Sequence, residues 1–382
     1  MNAPFSPRGA SASLAPEIVP AASLDPAAWD ALVARAAAPS PDYGRRMIAA
    51  HLAHGLAPPD LACVVVRDGP ALLALLPIRP ARPMLRRSAA PFTAPIITAT
   101  APLVAEGAAF APALAALVAG LARVSDSWRW PLLPAGTPAG AGLLAAMAEA
   151  GWGVETVSRF ARPVLDRFPD HAACLAAAPS RNRVKDLRRR RRRLDALGAV
   201  RFETVGPAGD LGAACAAFLA LERAGWKGRV GTALASRPAT AALAADLFGA
   251  GEGPVTARAD LLRLDGVPIA ASVALTCRRT VFLLKTAYDE RYAAFAPGAL
   301  LEAEIVRALH EGSEADRLDS ATQDSRVLAD LYPGRSEIVG FAASAPGGPP
   351  VAALAAALRR SGAWRARAAA LRAWLRRAAA RG

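Results

Sequence analysis

The chain has 382 residues, 53% of them hydrophobic, and a formal net charge of +14. No stretch of about 18 apolar residues is free of charge, so the sequence predicts no transmembrane helix, and residues 1–20 lack the apolar core of a secretory signal. The four cysteines form no paired motif. This argues against a disulfide framework or a Cys-rich zinc site and favours a reducing cytoplasm.

Apolar periodicity predicts two units that share the order helix, helix, strand, Asp-Gly turn, strand, helix, strand, helix, strand, with two further strands in the second unit. The elements of the first unit are helices 25–37 and 41–55, hairpin strands 61–67 and 71–79, helix 109–123, strand 128–133, helix 139–150 and strand 153–165. Those of the second are strand 199–205, helices 210–224 and 236–249, strands 256–264, 267–277 and 280–287, helix 297–310, strand 316–321, helix 323–331 and strand 338–344. The repeated order predicts two copies of one α+β fold.

The positive charge is concentrated in two short segments. Residues 181–193 carry nine basic groups and one acid, and residues 359–381 carry eight arginines and no acid. The rest of the chain is therefore close to neutral. This pattern predicts two local anion-binding surfaces, and no helix-turn-helix or zinc motif accompanies them to suggest sequence-specific DNA recognition.

The first basic segment has the pattern of an amphipathic helix. Ser180 is its expected N-cap and Gly198 its expected C-cap, and Val184, Leu187, Leu194 and Leu197 fall on one face. Two interpretations of its arginines stay open. They pair with carboxylates of a neighbouring domain, or they bind a phosphorylated partner such as the CoA 3′-phosphate, tRNA, a nucleotide-sugar or a carrier domain.

Lysine is rare, with three lysines against 43 arginines. A lysine that persists against such a bias suggests that a compact ammonium with a tunable pKa is wanted. Lys227 and Lys285 lie in the two segments that we consider chemical, and Lys185 precedes the arginine run.

Residues 282–301 predict an anion site. An apolar strand ends at Lys285 to Asp289, and Pro297-Gly298 then opens a helix whose free N–H groups and dipole favour an anion. Neither a Walker loop nor a Rossmann fingerprint is present.

Three stretches are similar to a known family: VKDLRRRRRRLDALG (184–198), WKGRVGTAL (226–234) and FLLKTAYDERYAAFAPGALL (282–301). They resemble the acetyltransferases associated with cellulose and exopolysaccharide biosynthesis, the CelD/BcsL type. That family belongs to the GNAT superfamily and is similar in design to the FemABX aminoacyltransferases. The resemblance covers about 165–345, and the N-terminal half shares only the element order.

The resemblance implies an α+β fold with tandem GNAT-like mixed sheets flanked by helices. The implied parts are a loose tail 1–15, a degenerate GNAT-like domain 16–166, a basic linker helix 167–198, a catalytic GNAT-like domain 199–345 and a basic amphipathic helical tail 346–382.

The resemblance also implies acetyl-CoA or another acyl-CoA as co-substrate, and no metal. The acyl-CoA would lie between splayed strands 280–287 and 316–321, with its pyrophosphate on the following helix start. The implied cofactor-binding residues are Phe295, Pro297, Gly298, Ala299 and Leu300. Of the usual GNAT loop Arg/Gln-x-x-Gly-x-Gly/Ala, only the Gly298 position is kept.

Acyl transfer requires a base for the acceptor, a donor for the oxyanion and an acid for the thiolate. Carboxylates near the strand ends and the tyrosines, Tyr332 among them, supply these groups. The candidate catalytic residues are Asp319, Tyr288 and Glu222. The candidate substrate-binding residues are Trp226, Lys227, Lys285, Asp289 and Tyr292.

The tail from residue 351 combines arginines with Leu and Trp on one helical face. This composition fits the surface of an anionic membrane, so we expect residues 351–382 to promote peripheral binding at its inner face. Packing on the protein is the alternative.

Together these features predict a cytoplasmic acyltransferase that moves an acetyl or similar group from acyl-CoA to an amine or hydroxyl of a sugar-derived acceptor, in cellulose or exopolysaccharide production. One alternative is a FemABX-like aminoacyltransferase that uses charged tRNA. The other is a non-enzymatic anion- or membrane-binding partner of a polysaccharide synthase.

Overall fold

The computed structural model describes residues 14–81, 88–322 and 325–362. Its strands are β1 Pro16–Pro20, β2 Ala62–Asp68, β3 Ala71–Arg79, β4 Ala90–Pro91, β5 Leu103–Val104, β6 Ser127–Pro134, β7 Gly153–Asp166, β8 Val200–Val205, β9 Val255–Leu264, β10 Val267–Cys277, β11 Thr280–Tyr288, β12 Arg317–Asp319 and β13 Gly334–Ser344. Its helices are α1 Pro26–Ala34, α2 Arg45–Ala53, α3 Phe110–Val124, α4 Pro138–Glu149, α5 His171–Ala177, α6 Arg181–Asp195, α7 Leu211–Ala224, α8 Trp226–Arg229, α9 Pro238–Phe248, α10 Pro297–Glu311, α11 Arg326–Leu331 and α12 at 351–362.

Local sequence explains where many of these elements begin. The side chains of Asp25, Thr137, Ser180 and Asp210 each accept a hydrogen bond from the backbone N–H three residues further on, which satisfies a free donor of the helix start. Apolar alternation and the Asp-Gly turns place the two long hairpins. The expected α+β architecture, with mixed sheets flanked by helices, is confirmed.

Some local expectations were wrong or incomplete. Helix α6 ends at Asp195 with Ala196 as its C-cap, so Gly198 lies beyond the cap. Helix α9 begins at Pro238 after Arg237, because Ser236 closes a preceding 3-10 turn. Strand β1 was not predicted, since its two prolines argue against a central strand; it lies at a sheet edge, where proline is tolerated.

The β10–β11 turn uses two arginines in place of glycine. Arg278 and Arg279 have φ of 47° and 67°, the left-handed conformation that a tight hairpin turn requires. Their side chains are anchored. Arg278 donates to the carbonyl of Ala36, and Arg279 forms a salt bridge with Asp316. These contacts explain how non-glycine residues are held in this conformation.

The strands form two sheets. The smaller has the order β1-β2-β3-β4, with β5 also on β3, and the larger has the order β6-β13-β7-β12-β11-β10-β9-β8. The last strand of the chain, β13, therefore lies between β6 and β7 of the first unit, and β7 in turn pairs with β12. The larger sheet is built from both predicted units. The expected boundaries between the units stay a prediction.

Two hydrophobic clusters cover the opposite faces of β9–β11. Phe282 and Ala287 of β11 belong to the cluster that includes α7, α9 and most of the first unit. Val281 and Leu283 belong to the second cluster, which includes α6, α10 and α11. Helices α7 and α10 therefore approach the same strand from opposite sides.

Strands β11 and β12 splay apart. They are parallel partners only over residues 280–282 and 317–319, and β11 then continues to Tyr288 without β12 beside it. The register between β10 and β11 also shifts here, so that Leu284 has no partner residue on β10. Such a bulge bends the strand and re-aims its side chains. The gap created by the splay is where the candidate site lies.

Candidate active site

The start of α10 forms one wall of a cleft beside the splayed strands. Ala296 is the N-cap with φ of 54°, Pro297 takes the first helical position, and the N–H of Gly298 is among those that helix geometry leaves free. A Cβ on Gly298 would lie 3.3 Å from Cδ1 of Tyr288. Glycine at this position therefore lets the Tyr288 ring pack against the helix start.

We call this space the donor cleft, because it adjoins the helix start at which the pyrophosphate of acyl-CoA is predicted to bind. Its volume is about 310 Å³. Residues of β11, the α10 start and α11 line it: Thr286, Tyr288, Ala293, Ala296, Gly298, Ala299, Glu302, Ser325, Val327 and Leu328. Arg183 of α6 also lines it, and its Nε lies 3.6 Å from a carboxylate oxygen of Asp330, so this guanidinium is already ion-paired. The feature of the cleft that favours an anion is therefore the N-terminus of α10.

The five predicted cofactor-binding residues do not all lie in the donor cleft. Gly298 and Ala299 line the donor cleft, whereas Pro297 is buried at the helix start. Leu300 lines a different cleft, between α6 and α10. The ring of Phe295 lies below the guanidinium of Arg193, whose Cζ is 5.5 Å from the ring centroid.

Two of the three lysines converge on one buried carboxylate. Glu222, at the end of α7, is buried and accepts hydrogen bonds from Lys227 Nζ at 3.2 Å and from the backbone N–H of Leu234 at 2.7 Å. Lys285 Nζ of β11 lies 3.9 Å from the same carboxylate oxygen as Lys227. Burial lowers the pKa of Lys285, as does the ammonium of Lys227, while Glu222 opposes the shift. The cluster carries one more cation than anion.

This lysine cluster adjoins the donor cleft. Glu222 and Lys227 line a small pocket of about 30 Å³ together with Trp226. Thr286 and Tyr288 line both this pocket and the donor cleft, so the end of β11 is the wall that the two spaces share. The structure therefore brings the predicted residues Glu222, Lys227 and Tyr288 to the two sides of one strand end.

The remaining predicted substrate-binding residues differ in what they can still contact. Trp226 is 53% exposed, and its backbone N–H donates to Glu290. Asp289 is held by the guanidinium of Arg291, which lowers the pKa of that carboxyl. Tyr292 packs partly buried against the α10 cluster. Of these three residues, Trp226 therefore has the side chain that is most accessible to a ligand.

Asp319 lies in a separate charged cluster. It pairs with Arg162 of β7 at 3.6 Å, and burial raises its pKa. Asp42 of the first unit accepts from the N–H of Thr98 at 2.6 Å, and burial raises the pKa of Asp42 to about 6. These three charged residues line a cleft of about 310 Å³ that also contains Thr280 of β11. Asp319 therefore does not line the spaces that Glu222 and Tyr288 line.

One residue in the donor cleft was missed by the sequence analysis. Glu302 of α10 is buried and accepts a hydrogen bond from the hydroxyl of Tyr332, and burial raises the pKa of Glu302 to about 7. The sequence held a signal, because Glu302 shares a helix face with the buried Ile305 and Leu309. A carboxylate on an apolar helix face is rarely left there without a role or a partner.

No helix in the described part of the chain is both long and apolar enough to cross a bilayer. The described residues also contain no cluster of three or more His, Cys, Asp or Glu that could hold a metal ion. Of the predicted membrane-binding tail, residues 351–362 are helical, and Arg359 pairs with Glu155 at 2.7 Å. Residues 363–382 lie outside the described residues.

Residues 181–326 match the family model of the acetyltransferase (GNAT) domain. No curated protein matches the chain significantly.

Two similar solved structures, each with a TM-score above 0.5, share the fold over most of the chain. A crystal structure of FemX has a TM-score of 0.53 and 11% identity, covering 85% of this chain and 96% of that one. A conserved protein of unknown function from Bacteroides thetaiotaomicron has a TM-score of 0.53 and 12% identity, covering 84% and 97%. The C-terminal domain of a putative lysylphosphatidylglycerol synthetase from Agrobacterium fabrum has a TM-score of 0.49 and 14% identity, covering 87% and 93%.

The matched domain runs from α6 to the start of α11 and contains the lysine cluster and all the lining residues of the donor cleft except Val327 and Leu328. Fold and domain together define an acyltransferase, so the enzyme class predicted from the sequence is confirmed. The predicted CelD/BcsL type, the cellulose link and the sugar acceptor are finer statements than this match supports.

Proposed function

We propose that the enzyme transfers an acyl group from acyl-CoA to an amine or hydroxyl of an anionic, sugar-derived acceptor. The observation that carries this proposal is the shared wall at the end of β11. A cleft at a helix N-terminus lies on one side of Thr286 and Tyr288, and a small pocket lined by Lys227, Glu222 and Glu290 lies on the other.

The pyrophosphate of the donor would rest at Gly298 and Ala299. The free N–H groups and dipole of α10 favour negative charge there. The pantetheine chain would then follow the gap between β11 and β12, which brings the thioester toward the bulge at Leu284. An unpaired backbone N–H at such a bulge is suited to stabilise the oxyanion.

The acceptor would approach from the lysine cluster. The excess ammonium of Lys227 and Lys285 suits a phosphate or carboxylate of the acceptor, and the exposed face of Trp226 suits a sugar ring. This combination supports a sugar-derived acceptor, and the resemblance to CelD/BcsL-type enzymes supports a place in cellulose or exopolysaccharide production.

In the proposed reaction, Glu222 takes the proton of the attacking amine or hydroxyl. Its carboxylate offers about four acceptor sites, and three neighbouring donors do not exhaust them. The new C–N or C–O bond forms as the C–S bond breaks. Glu302, whose pKa is raised to about 7, gives its proton to the departing thiolate. The ring of Tyr288 forms part of the wall of the donor cleft. Asp319 takes no part in the reaction and stabilises the contact with the first unit through its ion pair with Arg162.

Titration calorimetry with acetyl-CoA tests the donor site. We expect the wild type to bind and Gly298→Asp to lose binding, because the new carboxylate repels the pyrophosphate and displaces Tyr288. Gly206→Asp is the matched control, since a Cβ on Gly206 meets nothing within 4 Å. A folded wild type that binds no acyl-CoA would refute the donor assignment, and charged tRNA, the FemABX-type donor, would be tested next.

A further inference from the structure

A second cleft lies on another side of α10, away from the donor cleft. It has a volume of about 510 Å³, within the range of about 300–1,000 Å³ typical of small-molecule sites. Its floor is apolar and comes from α5, α6, α10 and α11: Leu175, Val184, Leu187, Leu300, Ala303 and Leu331. None of the residues proposed for catalysis lines this cleft.

Arginines rim this apolar floor, and two of them have no acidic partner. Arg191 and Arg307 both pair with Glu304, which neutralises part of their charge. Arg188 and Arg192 are exposed, and neither has an ion pair or a side-chain hydrogen bond within the described residues. Two uncompensated cations thus stand at the edge of an apolar surface.

The charge continues along α6 as a stripe. Arg181, Lys185, Arg188 and Arg192 are spaced by four, three and four residues, which places them on one helix face. All four are exposed, and none has an ion pair among the residues that the structure describes. Only Arg188 and Arg192 also line the cleft.

The combination of an apolar floor with unpaired arginines determines which class of ligand fits this cleft. Inorganic phosphate would use the guanidinium groups but not the apolar floor. A single-stranded nucleic acid would stack its bases on aromatic rings, and no Trp, Tyr or Phe lines the cleft. A duplex would contact the arginines through its phosphates and leave the apolar floor uncovered. Residues 363–382 contain six arginines and no acid, so the stripe repels them. An anion with a hydrocarbon chain matches both parts of the surface.

We propose that this cleft binds a phosphorylated lipid, with the phosphate between Arg188 and Arg192 and the hydrocarbon chain on the apolar floor. The site is additional to the proposed donor and acceptor positions. It would give the enzyme direct contact with lipid phosphates, independently of its C-terminal tail.

Titration of the full chain with monomeric dodecyl phosphate, below its micelle concentration, tests the proposal. Burial of the chain predicts about fourfold weaker binding for each CH₂ removed, so decyl phosphate should bind roughly fifteenfold more weakly. Arg188→Gln with Arg192→Gln should weaken dodecyl phosphate at least about tenfold. Ala303→Phe, which fills the floor, should do the same while the circular dichroism spectrum stays that of the wild type.

Arg181→Gln with Lys185→Gln is the matched control, because it removes two charges from the same stripe outside the cleft. It should change the affinity by less than about threefold. Equal weakening by both double variants would overturn the proposal in favour of general attraction to a cationic helix, as for RNA. Equal affinity for inorganic and dodecyl phosphate would also overturn it, as would binding that appears only after residues 363–382 are deleted.

Discussion

The protein buries two three-membered charged clusters that differ in sign and in surroundings. The lysine cluster, Glu222 with Lys227 and Lys285, has one cation in excess and lies in a pocket beside the donor cleft. The second cluster, Asp42 and Asp319 with Arg162, has one acid in excess and lies where the two units meet. Each cluster thus contains three charged residues, but the two clusters lie in different parts of the fold.

The difference shows that the net charge of a buried cluster and its access to solvent, more than burial itself, determine whether the cluster can bind a ligand. The excess ammonium of the lysine cluster can be satisfied by an anionic ligand, because Lys227 and Lys285 are each 26% exposed. The excess acid of the second cluster is less accessible, since Asp42 is 1% exposed and the side chain of Asp319 is 13% exposed, and burial raises the pKa of Asp42 to about 6. We therefore expect the first cluster to control activity and the second to control stability.

The largest expected effect follows from removing Arg162. In Arg162→Met, Asp42 and Asp319 lose the cation that faces both of them, and breaking a buried pair in this way costs about 3–5 kcal/mol. Urea unfolding measures this loss. The control is Arg159→Met on the same strand, whose pair with Glu337 is exposed and should contribute less than about 1 kcal/mol. Equal stability of the two variants would contradict the assigned role.

Asp42 should make stability depend on pH. Its folded pKa of about 6 lies above the ordinary value of 3.8, so the unfolded chain loses the proton first as pH rises. The stabilising effect of protonation is complete below about pH 4 and is lost by about pH 6, which lowers the free energy of unfolding by about 3 kcal/mol.

We expect Asp42→Asn to reduce the pH dependence of stability between about pH 4 and pH 6. The part that remains comes from Asp319, whose pKa burial also raises, and from Glu302, whose pKa is raised to about 7. Thermal unfolding across this pH range measures it. Asp68→Asn, at the exposed hairpin turn, is the control and should keep the wild-type dependence. The same slope in both variants would be evidence against a raised pKa at Asp42.

A substitution in the lysine cluster should lower kcat. Glu222→Gln removes the proposed base and leaves two ammonium groups facing an uncharged amide, so we expect kcat to fall about 100-fold or more with the fold retained. Steady-state kinetics with the acyl donor and its acceptor measures kcat. Glu203→Gln, which alters an exposed pair with Arg263, is the control. A kcat within twofold of the wild type would remove Glu222 as the base.

Glu302 sharpens the comparison, because it is a buried acid that, unlike Asp42, lines the donor cleft. If it protonates the thiolate, kcat should decline above about pH 7, and Glu302→Gln should lower kcat about tenfold or more and abolish that decline. The hydrogen bond from Tyr332 lowers the pKa of Glu302, so Tyr332→Phe should move the decline to higher pH. An unmoved pH profile in both variants would leave Glu302 with a structural role only.

Much of the candidate site could be predicted because its signals are local. The scarcity of lysine pointed to Lys227 and Lys285, and the strand–loop–helix pattern pointed to Gly298. The pairing of Lys285 with Glu222 could not be predicted, since it needs α7 and β11 to pack together over about 60 residues of separation, whereas Lys227 is only five residues from Glu222. The placement of Asp319 apart from this cluster has the same kind of cause, because its partner Arg162 comes from the first unit.

By itself, the sequence determined most of the helices, the long strands, the Asp-Gly hairpin turns and the basic helix, because periodicity, caps and Asp-Gly pairs act within a few residues. It also determined the enzyme class through the resemblance of residues within 181–326. Only the tertiary structure decided that β13 inserts between β6 and β7, and that charges from distant segments form two separate clusters. Strand order and ion pairing depend on contacts between segments far apart in the chain, and no local pattern encodes them.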